Sequence, residues 1–257
     1  MSFNHQTVSV IIPAHNEALS IAAVIKALKD QNVDGRSLVD HIIVCDNASD
    51  DNTAQIAQKA GADVIVENNK GYGFACLAAM QLLDETLSQT DDKGYVVFVD
   101  GDHSVDAREL KYLLEPLANG YDLVVGSRAN DAMEQGALSP HQRFGNQLAS
   151  LLIRLIWRQS ITDLGPFRAI RYSALQMINM QDKRFGWTVE MQVKTIQADL
   201  RYTEVEVTTR KRIGVSKISG TLSGSIGAAV GIFGKIFSLY VAERISEKSQ
   251  NDRKVSE

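Results

Sequence analysis

The sequence predicts an α/β fold built on a mostly parallel sheet with helices on both faces. Three observations carry that expectation. Short β-branched runs alternate with segments whose apolar residues recur at helical spacing. The runs are apolar throughout, as strands buried on both faces are. Each run also ends in a polar cluster.

Residues 8–13 form the first run, and residues 17–31 follow with Ile21, Val24, Ile25 and Leu28 on one helical face. The alternation repeats at 42–45 and 51–59, at 63–66 and 72–87, and at 95–99 and 108–117, before a last strand at 123–125. Residues 141–158 then read as a long amphipathic helix, 163–170 as a turn and strand, 188–197 as a helix, and 201–207 as an alternating strand. A basic loop at 209–217 leads to a glycine-punctuated apolar helix at 222–245. The expected organisation is one α/β domain over 1–218, an apolar C-terminal helix over 219–246 and a disordered polar tail over 247–257.

A chain of 257 residues, 44% hydrophobic and 23% charged, buries a sizeable core. Its net charge of -4 argues against wholesale nucleic-acid binding, which needs a concentration of Lys and Arg. Cys45 and Cys76 lie far apart and out of metal-ligand spacing, as core thiols of a reduced protein do. The first residues lack the basic and apolar regions of a signal peptide, so a cytoplasmic location is expected.

Ligands of such sheets sit beyond the carboxyl ends of the strands. Five clusters stand there: residues 13–17 (PAHNE), 46–49 (DNAS), 68–70 (NNK), 100–102 (DGD) and 126–128 (GSR). Any one of them suits a solvated loop, whereas the set argues for a site. Asp100 and Asp102 put two carboxylates at one strand end, with Gly101 between them to let the backbone approach a ligand. A hard cation, Mg²⁺ or Mn²⁺, takes one or two carboxylates together with substrate phosphate oxygens and water. The same triplet also suits a turn that caps the next helix. Glu17 and Asp46 can accept hydrogen bonds from ribose hydroxyls or base N–H groups, or can cap helices. Gly71 and Gly73 lack the third glycine of a dinucleotide fingerprint and follow the wrong strand, which argues against a nicotinamide or flavin enzyme. His15 and His103 lie in loops where they can touch ligand, but no Ser-His-Asp order supports a hydrolase triad.

In this order the clusters resemble the inverting GT-A glycosyltransferases of family 2. Residues 13–17 look like the family's Pro-x-x-Asn-Glu, 46–49 like its Asp-Asp-x-Ser, and 100–102 like its Asp-x-Asp. Residues 163–168 (DLGPFR) and 210–217 (RKRIGVSK) are similar to the polyprenyl-phosphate sugar transferases. The resemblance implies a GT-A-like fold and a nucleotide diphosphate sugar donor. It implies that Glu17 and Asp46 hold the nucleoside, beside Pro13, His15, Lys70 and Gly101, and that Asp100 and Asp102 serve metal and diphosphate. It assigns Arg128, Arg143 and Lys217, with Arg168 and Arg212, to the phosphates of donor or acceptor. The sequence departs from the pattern at His103-Ser104, where a hydrophobic residue and Gln are usual, at Asn47, and at Gly165-Pro166, where Ser-Gly is expected. Arg184, Arg154 and Arg158 read as ordinary surface charge.

The expected reaction is an inverting displacement in which a polyprenyl phosphate, already an anion, attacks the anomeric carbon. A hydroxyl acceptor would instead require a base, and Asp163 or Glu190 is the candidate. A soluble transferase on a small hydroxylated acceptor, a nucleotidyltransferase and a non-catalytic nucleotide-sugar binder are the alternatives. The apolar helix carries Lys235 inside its run, which argues against a span. Contact with the cytoplasmic face of a membrane, with a second subunit, or with its own domain stays open.

Overall fold

The computed structural model describes residues 6–33, 35–90, 93–128, 134, 137–214 and 222–256. The expected alternation is present. Strand β1 (Val8–Ala14), helix α1 (Ile21–Lys29), a small hairpin of β2 (Asn32–Val33) and β3 (Arg36–Ser37), β4 (His41–Asp46), α2 (Thr53–Lys59), β5 (Asp63–Val66), α3 (Tyr72–Thr86) and β6 (Tyr95–Phe98) come first. Then follow α4 (Leu110–Ala118), β7 (Leu123–Ser127), α5 (Pro140–Trp157), β8 (Arg168–Arg171), α6 (Tyr172–Ile178), α7 (Trp187–Gln197), β9 (Tyr202–Glu206) and α8 (Leu222–Ser256).

Seven strands form one sheet in the order β5-β4-β1-β6-β8-β7-β9. All neighbours pair parallel except β8, which runs against both β6 and β7. Because strand side chains alternate, each strand supplies two cores. Val8, Val10 and Ile12 of β1 pack with Ile21, Val24, Ile25 and Leu28 of α1 and with Leu110, Leu113, Leu114 and Leu117 of α4. Ile11, Ile43, Val96 and Phe98 face the other way, onto α3, α6 and Trp187. Cys45 and Cys76 are free and buried in that second core, where loss of water pushes both thiols well above their ordinary range.

A third cluster joins α5, α7 and α8 through Ala149, Ile153, Val189, Val193 and Ile236. Trp157 Nε1 donates to Glu243 at 2.7 Å, fastening α8 to α5. Helix α8 continues to Ser256, through the stretch where the sequence suggests a disordered tail. Helix α6 and the β2–β3 hairpin are too short for periodicity to reveal.

Candidate active site

The loops leaving β1, β4, β5 and β6 meet at a cavity of about 390 Å³. Pro13, His15 and Glu17 line it from the first loop, Lys70 from the third, and Asp100, Gly101 and Asp102 from the fourth. The first loop is stapled to the second. His15 Nδ1 lies 2.8 Å from the Asn47 carbonyl, Asn16 N–H donates to Ser49 Oγ at 2.9 Å, and Glu17 N–H donates to Thr53 Oγ1 at 2.8 Å. Asn16 takes a positive φ of 55° to make this turn, a conformation that Asn tolerates better than most residues.

Asp46 is buried and accepts from the Ser49 N–H at 3.3 Å, so it caps its own loop and is absent from the cavity lining. Asn47 lines the cavity instead. Its Nδ2 donates to the carbonyls of Glu67 at 3.0 Å and Asn69 at 2.7 Å, while its Oδ1 accepts from Gly71 N–H at 2.7 Å. An aspartate there could only accept, which accounts for the departure from Asp-Asp.

The segment after β6 is zipped to the segment after β9. Asp106 N–H donates to the Thr208 carbonyl at 3.3 Å, Arg210 N–H to Ser104 at 2.8 Å and Ile213 N–H to Asp102 at 3.0 Å. This run carries Arg212 into the cavity. Its Nη2 donates to Glu17 Oε1 at 2.9 Å and lies 3.1 Å from Asp102 Oδ2. Asp102 Oδ1 accepts from Ser104 N–H at 2.9 Å. Asp100 keeps one buried oxygen, Oδ1, without a hydrogen-bond partner. Burial first, and the neighbouring Asp102 second, push the Asp100 carboxyl up to about 7 against the opposing pull of Tyr72, Arg128 and Arg212. A Cβ on Gly101 would meet Ile21 Cδ1 at 3.3 Å and Ala14 Cβ at 3.5 Å. The glycine thus answers to the core behind it while also lining the cavity.

Other expected site residues stand elsewhere. Arg128 grips Asp163 through Nε and Nη2, each at 2.8 Å, and its backbone N–H adds a third bond at 2.7 Å. Burial would raise the Asp163 carboxyl, but the guanidinium overrides it and holds the group below its ordinary value. Arg168 is buried, and its guanidinium donates to the carbonyls of Leu164, Gly165 and Thr188. Glu190 accepts from Gln181 N–H at 3.0 Å and Asp182 N–H at 2.6 Å and pairs with Lys194 at 3.0 Å. Asp163 and Glu190 are thus paired internally, Arg168 satisfies buried carbonyls, and none of the three lines the cavity. Arg143 is exposed on the first turn of α5, and Lys217 lies outside the described residues. Gly165 answers a steric demand, since a Cβ there would fall 2.2 Å from the Gly126 carbonyl.

Tyr72, Arg184 and Phe185 line the cavity although the sequence did not single them out for it. A Cβ on Gly73 would fall 2.0 Å from the Asp182 carbonyl, and Phe74 N–H donates to Lys183 at 3.0 Å. That close approach brings residues 184 and 185 over the cavity. The pair of glycines around Tyr72 was the one available signal.

The strand order with its single reversal is that of the GT-A class of sheet. A solved structure of glucosyl-3-phosphoglycerate synthase from Mycobacterium tuberculosis, in complex with Mn²⁺, UDP and phosphoglyceric acid, matches with a TM-score of 0.69. The identity is 22%, over 91% of this chain and 78% of that one. The sequence profile of glycosyl transferase family 2 matches residues 9–178, and the chain belongs to that family. An uncharacterized glycosyltransferase of Mycobacterium tuberculosis is 35% identical over 233 residues, 90% of this chain and 98% of the relative. A dolichyl-phosphate hexose transferase of Haloferax volcanii is 29% identical over 233 residues, 89% and 92% of the two chains. The protein is thus a glycosyltransferase that uses nucleotide sugars.

Among the described residues no group of three or more His, Cys, Asp or Glu is gathered to hold a metal ion. Neither His103 nor Ser104 lines the cavity as a third ligand. The hard oxygens of Asp100 and Asp102, one of them buried and unpartnered, nevertheless fit a divalent cation that keeps phosphate and water in its remaining positions. No helix among the described residues is long and apolar enough to cross a membrane.

Proposed function

We propose that the chain transfers a sugar, with inversion, from a nucleoside diphosphate sugar to a polyprenyl phosphate at the cytoplasmic face of a membrane. The observation that carries the choice of acceptor is that neither carboxylate nominated as a base is available: Asp163 is locked onto Arg128 and Glu190 onto backbone N–H groups and Lys194. A phosphate acceptor is already an anion and needs no base. The dolichyl-phosphate substrate class of the Haloferax relative supports the same choice.

In this reading Glu17 holds the nucleoside with Pro13 and His15 beside it, while Lys70, Arg184 and Arg212 surround the diphosphate. Asp100 and Asp102 hold Mg²⁺ or Mn²⁺, which when bound offsets the charge of the departing nucleoside diphosphate. Arg128 acts from behind the carboxylates as a fixed positive charge, and Arg143 and Lys217 meet the acceptor phosphate. Fixed charge of this kind stabilises the transition state without reorganising as charge moves.

The outward face of α5 suits an anionic bilayer. Phe144, Leu151 and Leu155 are exposed in a helix that contains no acidic residue, and helical geometry sets Arg143, Arg154 and Arg158 along one flank of that stripe. Val230 and Phe237 of the adjoining α8 are exposed as well. Asn146 ties α5 to Leu164 at 2.9 Å, next to the Arg128–Asp163 pair, so a docked lipid headgroup would lie near the site.

A second reading, transfer to a soluble phosphorylated acceptor, is favoured by the phosphoglyceric acid ligand of the structural neighbour. Radiolabelled UDP- and GDP-sugars, offered with Mn²⁺ and either a polyprenyl phosphate or 3-phosphoglycerate, separate the two. Label partitioning into organic solvent supports the lipid acceptor; label confined to the aqueous phase overturns it. In the same assay Arg143→Ala should weaken acceptor use by about one to two decades, the loss of one charge-assisted hydrogen bond, and leave donor affinity unchanged. Flotation with anionic vesicles tests the membrane face, and Leu155→Asp should abolish it.

A further inference from the structure

We infer that Arg212 is a latch on the donor site, serving as counter-ion to Glu17 and Asp102 until a divalent cation and a nucleoside diphosphate arrive together and draw it off Asp102 onto the diphosphate. The inference rests on the metal and diphosphate roles proposed for Asp100 and Asp102, and adds that one residue of this chain competes with the cation.

Three observations carry it. A single nitrogen, Nη2, is shared between two carboxylates, at 2.9 Å from Glu17 Oε1 and 3.1 Å from Asp102 Oδ2. Guanidinium–carboxylate pairs at their strongest are bidentate, as Arg128 and Asp163 are. The second observation is that Arg212 Nε is buried with no hydrogen-bond partner. A buried donor left unmade costs free energy, so this arrangement is incompletely satisfied and open to displacement. Third, the backbone that carries Arg212 is held independently of its side chain, by Ile213 N–H on the Asp102 carbonyl at 3.0 Å and Arg210 N–H on Ser104 at 2.8 Å. The guanidinium can therefore change partners by side-chain rotation alone, with its backbone still beside the site.

Charge decides the direction of the exchange. A divalent cation at Asp102 would face a guanidinium within hydrogen-bonding distance of the same carboxylate, and the two repel. A diphosphate arriving with the cation supplies anionic oxygens for Arg212 to pair with, which removes the conflict. Cation alone should thus bind weakly, and cation and nucleotide should strengthen each other. By linkage that strengthening is reciprocal.

The test is Mn²⁺ affinity of the full chain, read from the electron paramagnetic resonance signal of free Mn²⁺, with and without saturating UDP or GDP. Arg212→Gln should tighten Mn²⁺ without nucleotide by about tenfold, and the factor by which nucleotide improves Mn²⁺ affinity should shrink correspondingly. Arg212→Lys, which keeps the charge, should stay within about twofold of the native chain. Arg210→Gln is the control for a diffuse field. It removes the same charge two positions away, where Arg210 pairs with Asp106, and should also leave Mn²⁺ affinity within about twofold.

Unchanged or weaker Mn²⁺ binding in Arg212→Gln, with nucleotide binding intact, overturns the latch and spares the donor site. Equal tightening in Arg210→Gln overturns it too, since the effect would then be the general field of the basic segment. Absence of both Mn²⁺ and nucleotide binding in every variant, the native chain included, overturns the donor site and the latch together. Thermal melts of the four proteins show whether each is folded, and Arg212→Lys retains a cation for Glu17 and Asp102 should the glutamine variant fail to fold.

Discussion

Two arginine–carboxylate contacts stand near the cavity and are built in opposite ways. Arg128 meets Asp163 with two side-chain nitrogens and a backbone N–H, in a carboxylate whose side chain is 1% exposed. Arg212 meets Glu17 and Asp102 through one nitrogen, with its own side chain 26% exposed and its Nε unpaired. The first contact uses both oxygens of its carboxylate and two guanidinium nitrogens, whereas the second leaves Arg212 Nε unpaired. A closed pair holds the fold beside the cavity, and an open one stands inside the cavity wall with a donor unspent.

The sharpest way to break this comparison is Asp163→Ala. It strands the Arg128 guanidinium in a buried setting and should destabilise the protein by roughly 3–5 kcal/mol, read by chemical denaturation. A loss below about 1 kcal/mol would mean that the closed pair is not structural. Asp102→Asn should do the reverse, leaving the unfolding midpoint near that of the native chain while turnover falls roughly 10²- to 10³-fold and Mn²⁺ binding is lost. Turnover that survives excess chelator would contradict it equally. The smallest effect is expected at Asn47→Asp, which turns two donated bonds into carboxylate–carbonyl oppositions and should cost about 1–3 kcal/mol of stability. A nucleotide affinity that falls with it would join the loop staple to the donor site, and an unchanged affinity would assign the residue to scaffolding alone.

Part of the cavity lining was legible in the sequence because its residues follow apolar runs: Glu17 after β1, and Asp100 and Asp102 after β6. Position in a parallel sheet turns adjacency in sequence into adjacency at the rim. The same rule overreached at Asp46, where the next residue, Asn47, takes the cavity wall. Arg184 and Phe185 were not legible, since they reach the cavity through the contact of Gly73 with Asp182, far away in the chain. Asp163, Arg168 and Glu190 show a different limit. A charged residue in a motif reads alike whether it meets a ligand or satisfies buried partners, and only burial and hydrogen-bond geometry separate the two. The long C-terminal helix had a legible apolar stretch, but its polar continuation to Ser256 had no periodic signal to announce it.

The reversal of β8 has an evolutionary consequence. Arg168, at its start, pairs with Phe98, the last residue of β6, and with Val125 in the middle of β7. Residues 162–167 are thereby delivered to the same rim as the donor loops, although they come from a later stretch of chain. One antiparallel strand thus sets a separately encoded stretch beside the cavity, although residues 162–167 do not line it. On the function proposed above, selection could rewrite the later stretch, with α5 beside it, and change what receives the sugar while the earlier stretch stays as it is. Grafting residues 140–168 between family members is the laboratory version of that exchange.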